Sequence, residues 1–124
     1  MKTLATSLLC LISFSTGVIF TNLEASLTPP LPESGIVVVE FNAAFNSANS
    51  VDWIDNVKDC KVKRVDILKD PELQLEHKIV VVPTVIVFND GEEVKRFQAN
   101  IMMQLDADQE DVQQTVDELI FSDF

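Results

Sequence analysis

The sequence predicts an α/β domain, a mixed four-stranded sheet with helices on both of its faces. Two observations predict this class. Short apolar runs that are typical of buried strands alternate with segments that carry helix start signals. The third run is followed by Asn89-Asp90-Gly91, a hairpin turn signal, so the last two strands should be antiparallel. The predicted order is strand, helix, strand, helix, strand, strand, helix.

The first half of the domain contains two strands joined by a helix. Residues 36–41, IVVVEF, are a continuous apolar run, as expected for a central strand that is covered on both faces. Asn46 or Ser47 can cap the helix that follows. The apolar stripe of that helix consists of Val51, Ile54 and Val57. Residues 61–67, KVKRVDI, alternate like a strand, and the crossover helix before them makes the two strands parallel.

The second half begins with a short helix and a strand. Residues 70–78 place Asp70 at the N-cap and Pro71 at the first helical position, which is a strong helix start signal. Residues 80–88, VVVPTVIVF, form an apolar strand that Pro83 interrupts near its entry.

The domain closes with the return strand of the hairpin and an amphipathic helix. The return strand covers residues 93–99. Asp108 can cap the final helix, in which apolar residues recur at intervals of three and four. These residues are Val112, Val116, Leu119 and Ile120.

The chain is strongly acidic, with nine basic residues against twenty acidic ones and a formal charge of −11. Such a chain repels phosphate backbones, so the composition disfavours nucleic acid as a partner. Seven of the acids lie between Leu105 and the C-terminus, with no base among them. They lack the spacing of an EF-hand loop, so a calcium-buffering role ranks below a binding or an enzymatic role.

A targeting segment precedes the domain. Lys2 is followed by an uncharged, largely apolar run over residues 3–20, and a cleavage site can be placed after Ala25. The run is about the minimum length of a membrane span, so the segment is either a signal peptide or an uncleaved signal anchor. The domain is then exported (secreted, periplasmic or luminal) or anchored to a membrane from outside. The predicted segments are 1–25 for targeting, 26–34 for a Pro-rich tether and 35–124 for the domain.

Cys60 is the candidate reactive thiol, because the other cysteine, Cys10, lies in the targeting segment. A single thiol forms no intramolecular disulfide, and the position of Cys60 between two elements favours packing over reactivity. Three lysines that are close in sequence could lower its pKa, namely Lys58, Lys61 and Lys63, which keeps a reactive thiol as the alternative. His77, the single histidine, is expected at the surface. No residues have metal-ligand spacing, so neither a metal nor a cofactor is expected.

The order of elements and three motifs resemble the thioredoxin family over residues 36–121. The motifs are VVVEFNAAF, VPTVIVFNDGE and the closing amphipathic helix. Val82-Pro83-Thr84 is similar to the cis-proline loop of that family, which helps to bind extended substrate backbone. The first strand and helix of the family have no counterpart here. The resemblance therefore implies a trimmed thioredoxin-like sandwich.

The resemblance also shows where this chain departs from the family. The two redox cysteines of the family would fall at Asn46 and Asn49. An asparagine carboxamide has no titratable proton and cannot attack a disulfide, so dithiol exchange is excluded at this turn. Glu40 falls where the family keeps a buried acid, and Arg64 falls where a lysine often faces it. We expect these two to form a structural ion pair, because an unpaired carboxylate on a central strand is costly.

Two functions follow as hypotheses. The first is a redox-inactive, chaperone-like binding module that holds a protein or an extended peptide segment. Its groove would be lined by Phe45, Asn46, Ser47, Asn49, Val82, Pro83 and Thr84. The alternative is a thiol or glutathione-dependent oxidoreductase or transferase, which would use Cys60 or an anion site at the helix N-terminus near Asn46.

Overall fold

The computed structural model describes residues 30–122 and contains a mixed four-stranded sheet. The strands are β1 (Ile36–Asn42), β2 (Lys61–Asp66), β3 (Thr84–Asn89) and β4 (Glu92–Gln98). They lie in the order β2-β1-β3-β4. β1 is parallel to β2, whereas the other two pairs are antiparallel, which confirms the predicted mixed sheet. The predicted targeting segment and the first part of the tether lie outside the described residues.

Helices cover both faces of the sheet. They are two 3-10 helices (Ala44–Asn49 and Asp52–Asn56), α1 (Pro71–Glu76) and α2 (Gln109–Ser122). The predicted capping contacts are confirmed, because Asp70 Oδ1 accepts a hydrogen bond from the Leu73 amide at 3.2 Å and Asp108 Oδ1 accepts one from the Asp111 amide at 3.0 Å. No helix within residues 30–122 has the length and apolar character needed to span a membrane.

The side chains of β1 alternate between two hydrophobic layers. One layer joins Val37, Val39 and Phe41 to Leu73 of α1. The other layer joins Val38 to the second 3-10 helix and α2 through Ile54, Val112 and Val116. Because both faces of β1 are covered, its sequence is a continuous apolar run. Burial of each such valine side chain stabilises the fold by roughly 1.5–3 kcal/mol.

The connection from β1 to β2 differs from the predicted α-helix. It consists of two short 3-10 helices, and neither has a side-chain cap. Val51, Ile54 and Val57 are nevertheless buried, as the apolar stripe predicts. Their spacing of three residues suits the three-residue turn of a 3-10 helix, which explains why the same stripe supports the tighter helix.

The third strand begins later than predicted. β3 starts at Thr84, residues 81–83 form a bend, and Val80 is exposed. Pro83 explains the difference because it has no N–H group to donate to a neighbouring strand.

His77 is largely buried, and its predicted surface position is wrong. Its side chain is 16% exposed, and its ring packs between Phe41 and Phe88 with centroid distances of 5.7 and 5.2 Å. Arg96 of β4 donates hydrogen bonds to the carbonyls of His77 at 2.7 Å and Lys78 at 3.1 Å. These bonds hold the end of α1 against the sheet, a long-range effect that the polar neighbours of His77 in sequence do not indicate.

Candidate functional site

The turn after β1 holds the residues that the resemblance singles out. Asn46 lies inside the first 3-10 helix, where its backbone is kinked (φ −114°, ψ 23°). The residue at the N-cap position is Ala43, and no side chain caps the helix. The prediction that Asn46 or Ser47 caps a helix is therefore wrong. The physical reason is that the Asn46 side chain is engaged elsewhere.

The Asn46 carboxamide joins three separate parts of the chain. Asn46 is 4% exposed, and its Nδ2 lies 3.2 Å from Asn42 Oδ1, 3.4 Å from the Val82 carbonyl oxygen and 3.2 Å from the Met103 carbonyl oxygen. Its two N–H groups are shared among these three acceptors. Asn46 Oδ1 accepts a hydrogen bond from Asn49 Nδ2 at 2.9 Å. The carboxamide thus connects the end of β1, the loop before β3 and the loop after β4.

The loop after β4 is a compact turn that closes over Asn46. The Met103 amide donates to the Asn100 carbonyl at 2.9 Å, and Asn100 Oδ1 accepts hydrogen bonds from the amides of Met102 and Gln104 at 2.8 and 3.2 Å. Such side-chain-to-backbone bonds are typical of an asparagine-nucleated turn. This loop had no predicted role, although Asn100 is the sequence signal that could have identified it.

Large apolar side chains are exposed on the two segments that the Asn46–Met103 contact joins. Phe45 is 67% exposed on one segment, while Ile101 is fully exposed (100%) and Met102 is 68% exposed on the other. We call Phe45, Ile101, Met102 and Met103 the turn patch. Exposed apolar side chains on two joined segments make this surface a candidate for interaction with a partner.

A cavity of about 310 Å³ adjoins the turn and the loop after β4. Its lining includes Asn49, Trp53, Gln104 and Leu105. Trp53 and Leu105 also pack against the hydrophobic layer beneath, whereas most of the accessible lining of the cavity is polar. The turn therefore adjoins both an exposed apolar patch and a largely polar cavity.

The seven expected groove residues divide into two groups. Val82, Pro83 and Thr84 are buried, and the peptide bond between Val82 and Pro83 is cis. Thr84 Oγ1 donates to the Val81 carbonyl at 2.7 Å, so its hydroxyl is directed inward. With Asn46 also buried, the exposed members are Phe45 and Ser47, and Asn49 is half-buried. Four of the seven side chains are therefore closed to solvent, and the expected groove stays a prediction.

Beneath the turn, Glu40 and Arg64 form the ion pair that their positions in the sequence predict. Glu40 is buried, and its Oε2 accepts a hydrogen bond from the Val51 amide at 2.8 Å. Arg64 also donates to Asp55 Oδ2 at 3.0 Å and to the Val51 carbonyl at 3.1 Å. Burial raises the pKa of Glu40 above its ordinary value of 4.5, and the Val51 N–H and Arg64 offset part of that rise. The pair fixes the crossover connection to both β1 and β2.

Cys60 has the properties of a packing residue. Its side chain contacts the hydrophobic layer under α2, and its thiol lies 3.9 Å from the Val57 carbonyl. Burial, together with the nearby Asp59 carboxylate, raises the pKa of the Cys60 thiol to about 11. The expected lowering by neighbouring lysines is therefore wrong, because burial dominates. At neutral pH this thiol is protonated and a poor nucleophile.

Residues 30–122 contain no candidate metal site. No group of three or more histidine, cysteine, aspartate or glutamate side chains there could hold a metal ion. The chemistry that the turn can offer is hydrogen bonding and apolar contact.

Comparison with solved structures decides the fold. A mutant thioredoxin from Halobacterium salinarum superposes with a TM-score of 0.57 at 19% identity, covering 68% of this chain and 74% of that one. The fold is that of thioredoxin. A thioredoxin from Schistosoma mansoni gives a TM-score of 0.55 at 20% identity, covering 82% of this chain and 87% of that one. The predicted thioredoxin-like fold is therefore confirmed.

A third thioredoxin-fold structure, the germline-specific thioredoxin Deadhead of Drosophila melanogaster, matches at a similar level of identity. It gives a TM-score of 0.50 at 16% identity, covering 70% of this chain and 83% of that one. No protein-family model matches the chain, and no curated protein matches it. Similarity at sequence identities this low shows the thioredoxin-like fold and does not show an activity.

Proposed function

We propose that this chain is a redox-inactive, thioredoxin-fold module that binds an extended segment of another protein at the turn patch and the adjoining cavity. The observation that carries the proposal is the Asn46 carboxamide. It is buried in the turn where the resemblance would place a redox cysteine, and it is hydrogen-bonded to Asn42, Val82 and Met103. A turn fixed in this way can present a surface but has no atom that exchanges disulfides.

The absence of dithiol chemistry rests on the residues of the turn. Asn46 and Asn49 bond to each other through their carboxamides, and neither side chain ionises at physiological pH. Cys60 lies in the hydrophobic layer under α2, and its pKa of about 11 keeps it protonated. Purified protein should therefore show no insulin-reducing activity.

The binding surface is argued from exposure and shape. Phe45, Ile101 and Met102 present aromatic, branched and flexible apolar side chains to solvent, a combination that adapts to several partner side chains. The cavity beside Trp53 and Leu105, whose accessible lining is mostly polar, offers room for one further side chain. A partner segment with apolar residues, held in an extended form, matches this surface.

The enzymatic alternative has less support. An anion site needs a helix N-terminus with aligned free amides. The connection after β1 offers only 3-10 helices of six and five residues, the first of them kinked at Asn46. A thiol with a raised pKa likewise does not favour glutathione-dependent chemistry at Cys60.

We also propose that the domain is exported. Support comes from the sequence of the targeting segment, with Lys2 before an uncharged run. Expression of the full chain followed by N-terminal sequencing tests this. A mature chain that begins near Ser26, or a membrane-bound chain whose domain is cut by external protease, supports export. A full-length, protease-protected chain in the cytosol contradicts it.

The binding proposal is tested with an array of extended peptides and fluorescence anisotropy on the selected sequences. Phe45→Ser should weaken binding at least tenfold, because it removes the aromatic side chain of the patch, which is 67% exposed. Phe121→Ser is the matched control, since Phe121 is 74% exposed but lies on α2. Equal affinities of the two variants would contradict the proposed surface, and insulin reduction by the wild type would contradict the redox-inactive assignment.

A further inference from the structure

Basic residues are concentrated in one short part of this acidic chain. Five of the nine lysines and arginines lie between residues 58 and 69, with only two acids among them. The five are Lys58, Lys61, Lys63, Arg64 and Lys69. Three of them belong to β2, so the positive charge follows a single strand.

That strand lies at an edge of the sheet. β2 is first in the order β2-β1-β3-β4, and within residues 30–122 it pairs with β1 alone. The outer side of an edge strand presents backbone N–H and C=O groups that another extended segment can pair with. β2 is therefore a template for one more strand.

The side chains of β2 divide between the two faces of the sheet. Val65 packs against the layer that contains α1, and Val62 packs against the layer that contains α2. Because side chains alternate along a strand, Lys61 and Lys63 lie on the same face as Val65. Both lysines are exposed and make no ion pair within the described part of the chain, whereas Arg64 is paired with Glu40 on the other face.

A cavity of about 360 Å³ adjoins this face of the edge. Apolar side chains from the tether, β2 and α1 line it, namely Leu31, Val65 and Leu73. Its charged lining consists of three cations and two acids, namely Lys63, Arg64, Lys69, Asp66 and Asp70. An apolar side chain on an added strand, opposite Val65, would reach this cavity.

We propose that the outer edge of β2 binds an extended acidic segment of another protein as a fifth strand. On the face of α1 the segment carries acidic residues at two alternate positions, opposite Lys61 and Lys63, and an apolar residue opposite Val65. Directly opposite side chains in paired strands have Cβ atoms about 4.5–5.5 Å apart, close enough for each carboxylate to meet a lysine.

Charge complementarity selects this occupant over a second copy of the chain. If β2 of one copy paired with β2 of another, the lysines of both strands would be brought together, and such like-charge contacts oppose pairing. An acidic strand would instead place carboxylates opposite these lysines, and such opposite-charge contacts favour pairing. The proposed strand is distinct from the segment held at the turn patch, which is selected by apolar contact.

The test uses synthetic peptides of the form Glu-Thr-Glu-Thr-Leu, flanked by threonines and labelled for fluorescence anisotropy. We expect binding that weakens with salt, and a loss of at least tenfold in affinity for Lys61→Glu and for Lys63→Glu. Lys95→Glu is the matched control, because Lys95 lies on β4, the opposite edge strand. Phe45→Ser should leave this binding unchanged, which separates it from the turn patch.

Two N-methylated peptides distinguish strand addition from simple charge attraction. N-methylation at odd or at even positions removes alternate N–H donors without altering charge, and only one set of donors faces β2 in a paired strand. One methylated peptide should lose affinity and the other should keep it. Three results would overturn the proposal. They are equal binding of the two methylated peptides, no binding of the parent peptide at millimolar concentration, and a dimer in sedimentation that Lys63→Glu strengthens.

Discussion

Replacing Asn46 with alanine tests the interaction on which the proposed function depends. The substitution removes the carboxamide N–H groups that donate to three acceptors, namely Asn42 Oδ1, the Val82 carbonyl and the Met103 carbonyl. It also removes the acceptor of the Asn49 side chain. Water can reach Met103 and Asn49, which are not fully buried, but Asn42 and Val82 are buried and would lose a partner.

The magnitude follows from counting the groups left unsatisfied. Each buried acceptor that loses its donor costs about 1–3 kcal/mol, and the longer of the two contacts, 3.4 Å to Val82, belongs at the lower end. We therefore expect Asn46→Ala to lower the free energy of unfolding by about 2–4 kcal/mol. Asn49→Ala, which removes one part-buried bond, should cost about 0.5–1 kcal/mol.

Urea unfolding followed by Trp53 fluorescence measures both variants. Asn46→Asp adds a second comparison, because it keeps the shape but places carboxylate oxygens against the carbonyl oxygens of Val82 and Met103. Its loss of stability should be larger at pH 7 than at pH 4, where the carboxyl is more often protonated. If Asn46→Ala unfolds within about 0.5 kcal/mol of the wild type, the carboxamide does not hold the turn together and the reasoning is refuted.

Three further predictions concern the surrounding groups. Burial raises the pKa of Glu40, so the folded state binds more protons than the unfolded state between pH 4.5 and the raised pKa. The free energy of unfolding of the wild type, relative to that of Glu40→Gln, should therefore rise as the pH falls through this window. A difference that does not change with pH would contradict this. Cys60 should react with iodoacetamide at pH 8 more slowly than a model-peptide cysteine and reach the same rate in urea, and fast alkylation of the folded protein would show a reactive thiol. Arg96→Ala should cost about 1 kcal/mol in urea unfolding, because it frees the carbonyls of His77 and Lys78 at the end of α1, and an unchanged midpoint would show that water replaces these bonds.

The sheet could be predicted from the sequence because its signals are local. The continuous apolar run of β1 and the Asp90-Gly91 turn each lie within a few residues, whereas Val62 and Val65 of β2 face opposite layers and do not alternate strictly. Asp90 and Gly91 have positive φ angles of 52° and 86°, the conformation that this turn signal indicates. The caps at Asp70 and Asp108 are equally local, and both were predicted.

The role of Asn46 could not be predicted in this way. Its partners Val82 and Met103 are 36 and 57 residues away in the chain. A capping preference describes only the competition between a side chain and the nearest backbone amides. Here the Asn46 carboxamide bonds to two distant carbonyls and to the neighbouring Asn42 instead of to the nearest backbone amides. The 3-10 helix therefore begins without a side-chain cap. His77 is a similar case, because its burial depends on Phe88 and Arg96 from other strands.

Asn46 also links stability to the proposed binding surface. Its hydrogen bond to the Met103 carbonyl positions the loop that carries Ile101 and Met102, and its own turn carries Phe45. In the proposed function, this carboxamide therefore helps to hold the two segments of the turn patch together. A cysteine thiol is a weak donor and could not make the same set of bonds. In the proposed function, the asparagine that stands where the resemblance would place a thiol also supplies a contact between the two segments of the apolar surface.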